Sequence, residues 1–128
     1  MKRLLSALLL LAAANAAAGE KSVSLERDFG TLYGTLLTPG EGAETVAVLI
    51  AGSGPTPRNG NTNNYLYLAQ ELEKAGIATL RYDKRGIGSS KFDDPDKMAD
   101  ATLDDFIGDA AAWAESLSRQ DFRRIVLI

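Results

Sequence analysis

The stretch Val46-Ala-Val-Leu-Ile-Ala-Gly-Ser-Gly-Pro55 decides the fold. Its first half is apolar throughout, which predicts a strand covered on both faces, as in a parallel sheet with helices on each side. Its second half is rich in glycine, which ends a strand and opens a loop. Because ligands of open α/β sheets gather at the carboxyl ends of the strands, this loop is the first candidate for a functional site.

Strand and helix patterns alternate around this stretch. Runs of apolar or alternating residues bounded by turn residues predict five strands, at Ser22–Asp28, Leu32–Thr38, Thr45–Ala51, Ile77–Tyr82 and Arg124–Ile128. A hairpin followed by strand–helix–strand–helix–strand predicts an α/β fold. In it, an antiparallel hairpin leads into a mainly parallel sheet with right-handed crossover helices.

Apolar residues at helical spacing predict the two crossover helices. The first covers Asn64–Ala75 and ends at the cap residue Gly76, and the second begins after the N-cap Thr102. The apolar stripe of the first helix is Leu66, Leu68, Ala69, Leu72 and Ala75, and that of the second is Leu103, Phe106, Ile107, Ala110, Trp113, Ala114 and Leu117. Trp113 is therefore predicted to lie in the core.

Residues 1–18 have the features of a secretory signal peptide. Lys2 and Arg3 precede a short apolar run, and small residues follow it, so cleavage after Ala16 or after Ala18 satisfies the pattern. An uncleaved N-terminal anchor is the alternative. The expected location is secreted or periplasmic, with no membrane span after cleavage.

The composition narrows the possible partners. The chain has 128 residues with no cysteine, so it does not depend on disulfides in an oxidising compartment. Loss of Lys2 and Arg3 with the signal changes the net charge from −3 to −5. This acidic balance disfavours nucleic acid and anionic membrane as main partners.

The glycine-rich loop has two possible anionic ligands, a nucleotide phosphate or a reacting oxyanion. A Walker A motif is absent, and neither Gly52-Ser-Gly54 nor Gly86-Ile-Gly88 completes a dinucleotide-binding Gly-x-Gly-x-x-Gly motif. Pro55 and Pro57 also remove amides that a phosphate would bind. An oxyanion hole for acyl transfer, in which backbone amides bind the developing negative charge, is the favoured interpretation.

Three segments resemble the α/β-hydrolase superfamily, in particular secreted bacterial esterases and serine-aminopeptidase-like enzymes. Ile50-Ala-Gly-Ser-Gly-Pro55 with Arg58-Asn-Gly-Asn61 resembles the oxyanion loop, and Tyr82-Asp-Lys-Arg-Gly-Ile-Gly-Ser-Ser90 is similar to the segment after the fourth strand. Arg123-Arg-Ile-Val-Leu-Ile128 resembles the strand that leads into the nucleophile elbow Gly-x-Ser-x-Gly. The resemblance implies that residues 19–128 are the N-terminal part of a single α/β-hydrolase domain, truncated before that elbow.

The resemblance also implies roles for individual residues. The backbone N–H of Ser53 would donate to the oxyanion, and Gly52 and Gly54 would shape the loop, although Ala51 stands where many members have histidine. The structural residues of the second motif are Asp83, Arg85, Gly86 and Gly88. The implied activity is that of a serine hydrolase acting on a small-molecule ester or amide through an acyl-enzyme, without a cofactor or metal.

The chain lacks the residues that would carry out this chemistry. It has no histidine and no Gly-x-Ser-x-Gly, so no Ser-His-acid triad can form from it. Nucleophile, acid and histidine are therefore expected beyond residue 128, in the missing C-terminal half of the domain, and the chain alone is expected to be inactive and marginally stable. A serine–lysine pair of Ser53 or Ser89 with Lys84 is the less favoured alternative.

Two other classes of function remain open, a non-catalytic secreted α/β binding module and a nucleotide-binding α/β protein. The acidic residues do not predict a metal site. Asp93, Asp94 and Asp96 lack the remainder of a calcium loop and are predicted to be solvated. Three further carboxylates are predicted to interact favourably with the dipole at the start of the second helix. They are Asp104, Asp105 and Asp109.

Overall fold

A computed structural model describes residues 19–128, and the predicted signal peptide lies outside the described residues. The strands are β1 (Gly19–Arg27), β2 (Gly30–Thr38), β3 (Thr45–Leu49), β4 (Ala78–Tyr82) and β5 (Arg124–Leu127). The helices are α1 (Asn64–Lys74) and α2 (Leu103–Ser118), and a 3-10 helix covers Pro95–Asp100.

The five strands form one mixed sheet in the order β1-β2-β4-β3-β5. β1 pairs antiparallel with β2, and β2 pairs antiparallel with β4. β3 pairs in parallel with β4 on one side and with β5 on the other. The predicted α/β fold, an antiparallel hairpin leading into parallel strands, is confirmed.

The alternation of side chains along β3 explains why both faces of the sheet are covered. Val46 and Val48 belong to the core cluster that contains Trp113 of α2, whereas Ala47 and Leu49 belong to the cluster that contains Ala69 of α1. Successive strand residues point to opposite faces, so the two helices lie on opposite sides of the sheet. The loops that follow β3 and β4 leave the sheet at the same edge.

Local sequence signals fix the helix ends. Thr102 and Asp105 form a capping box at the start of α2, in which the Asp105 carboxylate accepts the Thr102 N–H at 2.9 Å. Beyond the end of α1, Gly76 has φ +80°, and its N–H donates to the Glu73 carbonyl while the Ile77 N–H donates to the Leu72 carbonyl. These two bonds are the Schellman motif, which satisfies the last carbonyls of a helix.

Several boundaries and burial predictions were wrong. β1 begins at Gly19 rather than Ser22, β3 ends at Leu49 rather than Ala51, and the 3-10 helix was not predicted. Leu103 and Ile107 were assigned to the apolar stripe of α2, but they are 73% and 57% exposed. Leu103 is the first residue of the helix, and helical spacing puts Ile107 about 120° around the helix from Trp113. Within residues 19–128, no helix is long and apolar enough to cross a membrane.

Candidate active site

Two loops meet at the carboxyl ends of β3 and β4. The loop after β3 contains Gly52, Ser53 and Gly54, and the loop after β4 begins at Asp83. With the start of α2, they border a cavity of about 620 Å³. Much of the remaining lining is apolar, formed by Ile87, Phe92, Met98, Ala101, Leu103 and Phe106.

The Gly52–Gly54 loop presents its carbonyls to a lysine. Lys84 Nζ donates to the Gly52 carbonyl at 2.7 Å and to the Gly54 carbonyl at 2.6 Å. Gly54 has φ +89°, which favours glycine, and its carbonyl also accepts the Thr56 N–H at 2.9 Å. The loop is exposed, yet both of these carbonyls are held in place.

The backbone N–H of Ser53 is available to a ligand. It donates no hydrogen bond to another backbone group of residues 19–128. The peptide that joins Gly52 to Ser53 is trans, so its N–H points away from the carbonyl that Lys84 holds. A free amide beside a cavity is the arrangement that an oxyanion donor requires.

Asp83 joins the two loops. Its carboxylate accepts the Arg58 backbone N–H at 2.9 Å, the Arg58 guanidinium at 2.7 Å and the Ser89 N–H at 3.1 Å. Burial alone would raise the pKa of Asp83, but the hydrogen bonds from Arg58 and Ser89 outweigh it, so the pKa lies below its ordinary value. Arg58 also donates to the Thr35 hydroxyl at 3.1 Å, which ties both loops to β2.

The turn after β4 is shaped by two glycines and a buried serine. Gly86 and Gly88 have φ of +83° and +54°, and a Cβ on Gly88 would lie 2.6 Å from the Asp83 carboxylate. The Ser90 hydroxyl donates to the Asp83 carbonyl at 2.7 Å and accepts the Tyr33 N–H at 2.9 Å. Ser90 therefore fastens the turn to β2, a role that the sequence did not indicate.

Arg85 lies beneath the turn in a buried charge network. Its guanidinium donates two hydrogen bonds of 2.7 Å to the Asp109 carboxylate, which also accepts Arg27 Nε at 3.0 Å. The bond with Asp109 raises the pKa of Arg85, and the guanidinium stacks 4.4 Å from the Phe29 ring centroid. Arg85 thus connects the turn to α2, and Asp109 connects α2 to Arg27 in β1.

The prediction that Asp109 acts at the helix start is wrong. Asp109 is only 2% exposed and lies two turns into α2, where it pairs with arginines. The sequence spacing of Asp109 could have indicated its burial. Asp109 lies three residues after Phe106 and four before Trp113, on the inward face of the helix. Asp104 and Asp105 do lie in the first turn.

The other polar candidates have local contacts. Lys84 binds loop carbonyls, and no hydrogen bond joins it to a serine hydroxyl in the described segment. Asp94 caps the 3-10 helix by accepting the Asp96 N–H at 3.1 Å. No group of three or more acidic side chains between residues 19 and 128 is arranged to hold a metal ion.

We expect Asp83 to make stability depend on pH. Because its folded pKa lies below the unfolded value of about 3.9, its contribution is complete above that value and is lost as the pH falls through the folded pKa. Asp83→Asn should therefore be less stable than wild type at pH 7, and the difference should shrink below about pH 4. Urea unfolding at pH values from 7 to 2 measures it, and a constant difference would contradict the assignment.

Comparison with known proteins places this arrangement in a known fold. No family profile matches the sequence, and no curated protein sequence matches it. A cold-adapted esterase from an Arctic intertidal metagenomic library is similar in structure, with TM-score 0.66 and 24% identity, covering 84% of this chain and 48% of its own. The Pyrococcus furiosus esterase Pf2001 has TM-score 0.68 and 20% identity, covering 86% and 42%.

A third similar structure is XC6422 from Xanthomonas campestris, an α/β serine hydrolase without a lid. It has TM-score 0.61 and 19% identity, covering 80% of this chain and 46% of its own. The described chain therefore has the α/β-hydrolase fold, which confirms the resemblance at the level of the fold. The chain spans less than half the length of each of these three structures.

Proposed function

We propose that this chain is the N-terminal part of a serine hydrolase that cleaves small-molecule esters or amides through an acyl-enzyme. The observation that carries the proposal is the free Ser53 N–H, which lies at the carboxyl end of β3 and points away from the Lys84-bound Gly52 carbonyl. The fold supports the proposal, because similar structures include esterases and a serine hydrolase.

In the proposed reaction, a serine hydroxyl attacks the substrate carbonyl carbon while a histidine takes its proton. The carbonyl π electrons move to oxygen, and the Ser53 N–H donates to the resulting oxyanion. When the tetrahedral intermediate collapses, the alcohol or amine leaves with the proton from histidine, and water later hydrolyses the acyl-enzyme by the same steps. Nucleophile, histidine and its orienting carboxylate belong to residues beyond 128, so the chain alone is inactive.

The remaining parts of the proposal concern the location and the substrate. Residues 1–18 act as a signal peptide that directs the protein to the periplasm or the medium. We prefer esters to peptides because the structures similar to this chain include esterases. The apolar lining of the cavity also suits an ester without charge.

Reading the coding DNA beyond the codon for Ile128 is the first test. Gly-x-Ser-x-Gly within a few codons and a histidine further downstream are expected. The protein from the complete gene should then release p-nitrophenol from p-nitrophenyl acetate in a burst, and replacement of that serine by alanine should abolish the burst.

A stop codon directly after Ile128 would contradict the catalytic proposal and favour a non-catalytic binding module. If the same protein has no esterase activity and a dinucleotide raises its melting temperature, nucleotide binding is favoured instead.

A further inference from the structure

Lys84 makes contacts that a solvated surface lysine does not make. Its ammonium bridges the carbonyls of Gly52 and Gly54 at 2.7 and 2.6 Å. It also lies 5.7 Å from the ring centroid of Phe106 in α2, within the range of a cation–π contact. The side chain thus joins the turn after β4 to the loop after β3, across 32 residues of sequence.

These contacts are maintained although they reduce the hydration of the ammonium. Burial lowers the pKa of Lys84, so the surroundings partly remove the water that would stabilise its charge. Hydrogen bonds from a charged donor are roughly twice as strong as neutral ones. The loop has no other side-chain hydrogen bond at Gly52 or Gly54 within the described residues.

The carbonyl that Lys84 binds and the Ser53 N–H are linked through one peptide. The Gly52 carbonyl and the Ser53 N–H belong to one planar trans peptide and point in opposite directions. A flip of this peptide would turn the N–H away from its present direction, and it would also break the bond to Lys84. Gly52, on one side of this peptide, lowers the steric cost of such a flip, and the bond from Lys84 to its carbonyl opposes it.

We propose that Lys84 is a positioning residue that holds the Gly52–Ser53 peptide in the orientation an oxyanion donor needs. This inference rests on the proposed function, since it assigns Lys84 to the same oxyanion loop. The positive charge at the carbonyl end also polarises the peptide, which strengthens its N–H as a donor. In this role Lys84 acts through the loop, by way of the carbonyls of Gly52 and Gly54.

The kinetic test uses Lys84→Met in the protein expressed from its complete gene, with p-nitrophenyl acetate as substrate. Methionine keeps most of the length and the apolar stem but removes the charge and all donors. We expect kcat to fall about 100-fold, the effect of displacing a group that the transition state requires, with KM nearly unchanged. Lys84→Arg should restore most of kcat, because a guanidinium can also donate to two carbonyls.

Lys91→Met is the matched control. Lys91 is exposed, lies in the same connection after β4 and makes no side-chain hydrogen bond within the described residues. Its replacement removes one positive charge and should leave kcat unchanged. An equal loss in Lys84→Met and Lys91→Met, or a change in KM alone, would overturn the positioning role.

A second measurement tests the loop without reference to catalysis. The ¹⁵N order parameters of Gly52, Ser53 and Gly54 should fall from about 0.85 in wild type to below about 0.6 in Lys84→Met, while those of Gly40 and Gly42 stay the same. Unchanged order parameters would overturn the inference. If the wild-type protein does not hydrolyse esters but these values still fall, the proposed function is wrong and the contact between Lys84 and the loop is nevertheless established.

Discussion

Replacement of Asp109 by alanine is expected to lower the free energy of unfolding by about 3–5 kcal/mol, the usual cost of removing one partner of a buried ion pair. Asp109 is 2% exposed and accepts hydrogen bonds from Arg85 and Arg27. Without it, the Arg85 guanidinium remains buried, with its closest partner removed. Urea unfolding at pH 7 measures the change.

A control and a double variant identify the cause of this loss. Asp121→Ala removes an exposed carboxylate and should change stability by less than about 0.5 kcal/mol. Arg85→Met combined with Asp109→Leu replaces both charges by apolar side chains, so it should be less destabilised than the sum of the single variants. If Asp109→Ala unfolds at the wild-type urea concentration, the network does not contribute to stability.

Gly88→Ala is expected to lower the free energy of unfolding by about 2–4 kcal/mol, the sum of left-handed backbone strain and damage to a buried hydrogen-bond cluster. Gly88 has φ +54°, and an added Cβ would lie 2.6 Å from an Asp83 carboxylate oxygen. The carboxylate cannot move aside freely, because Arg58 and Ser89 hold it.

Gly76→Ala is the matched control for the backbone strain. Gly76 has φ +80° but no atom within 4 Å of an added Cβ, so its variant should lose only about 1–2 kcal/mol. The excess loss at Gly88 measures the clash. This excess should disappear when Asp83→Ala is already present, and its persistence there would show that the carboxylate is not the obstacle.

The sequence predicted the elements that depend on local or periodic signals. The apolar run of β3 and the spacing in α1 identified the sheet and a crossover helix, and Thr102 identified the start of α2. These features are encoded within a few residues of one another, because capping and strand alternation are local properties. The order of the strands in the sheet was not predicted, because the crossover rule fixes the handedness of a connection but not which strands are neighbours.

The contacts that support the candidate site could not be predicted in this way. Arg58, Lys84 and Asp109 have polar side chains that are usually solvated, and their partners lie 25, 32 and 24 residues away in sequence. Only the three-dimensional arrangement shows that Lys84 reaches the carbonyls of Gly52 and Gly54. Motif resemblance assigned a role to the Ser53 backbone, but it gave no account of what holds that backbone in place.

The ion pair between Arg27 and Asp109 has a consequence for the time course of synthesis. The two residues are 82 positions apart, and at about 5–20 residues per second a ribosome needs roughly 4–16 s to add that length. Throughout this interval, the nascent hairpin of β1 and β2 carries an arginine whose acceptor has not yet been made. β1 and β2 are therefore synthesised several seconds before the carboxylate that pairs with Arg27. During that time a chaperone can bind these strands in an unfolded state.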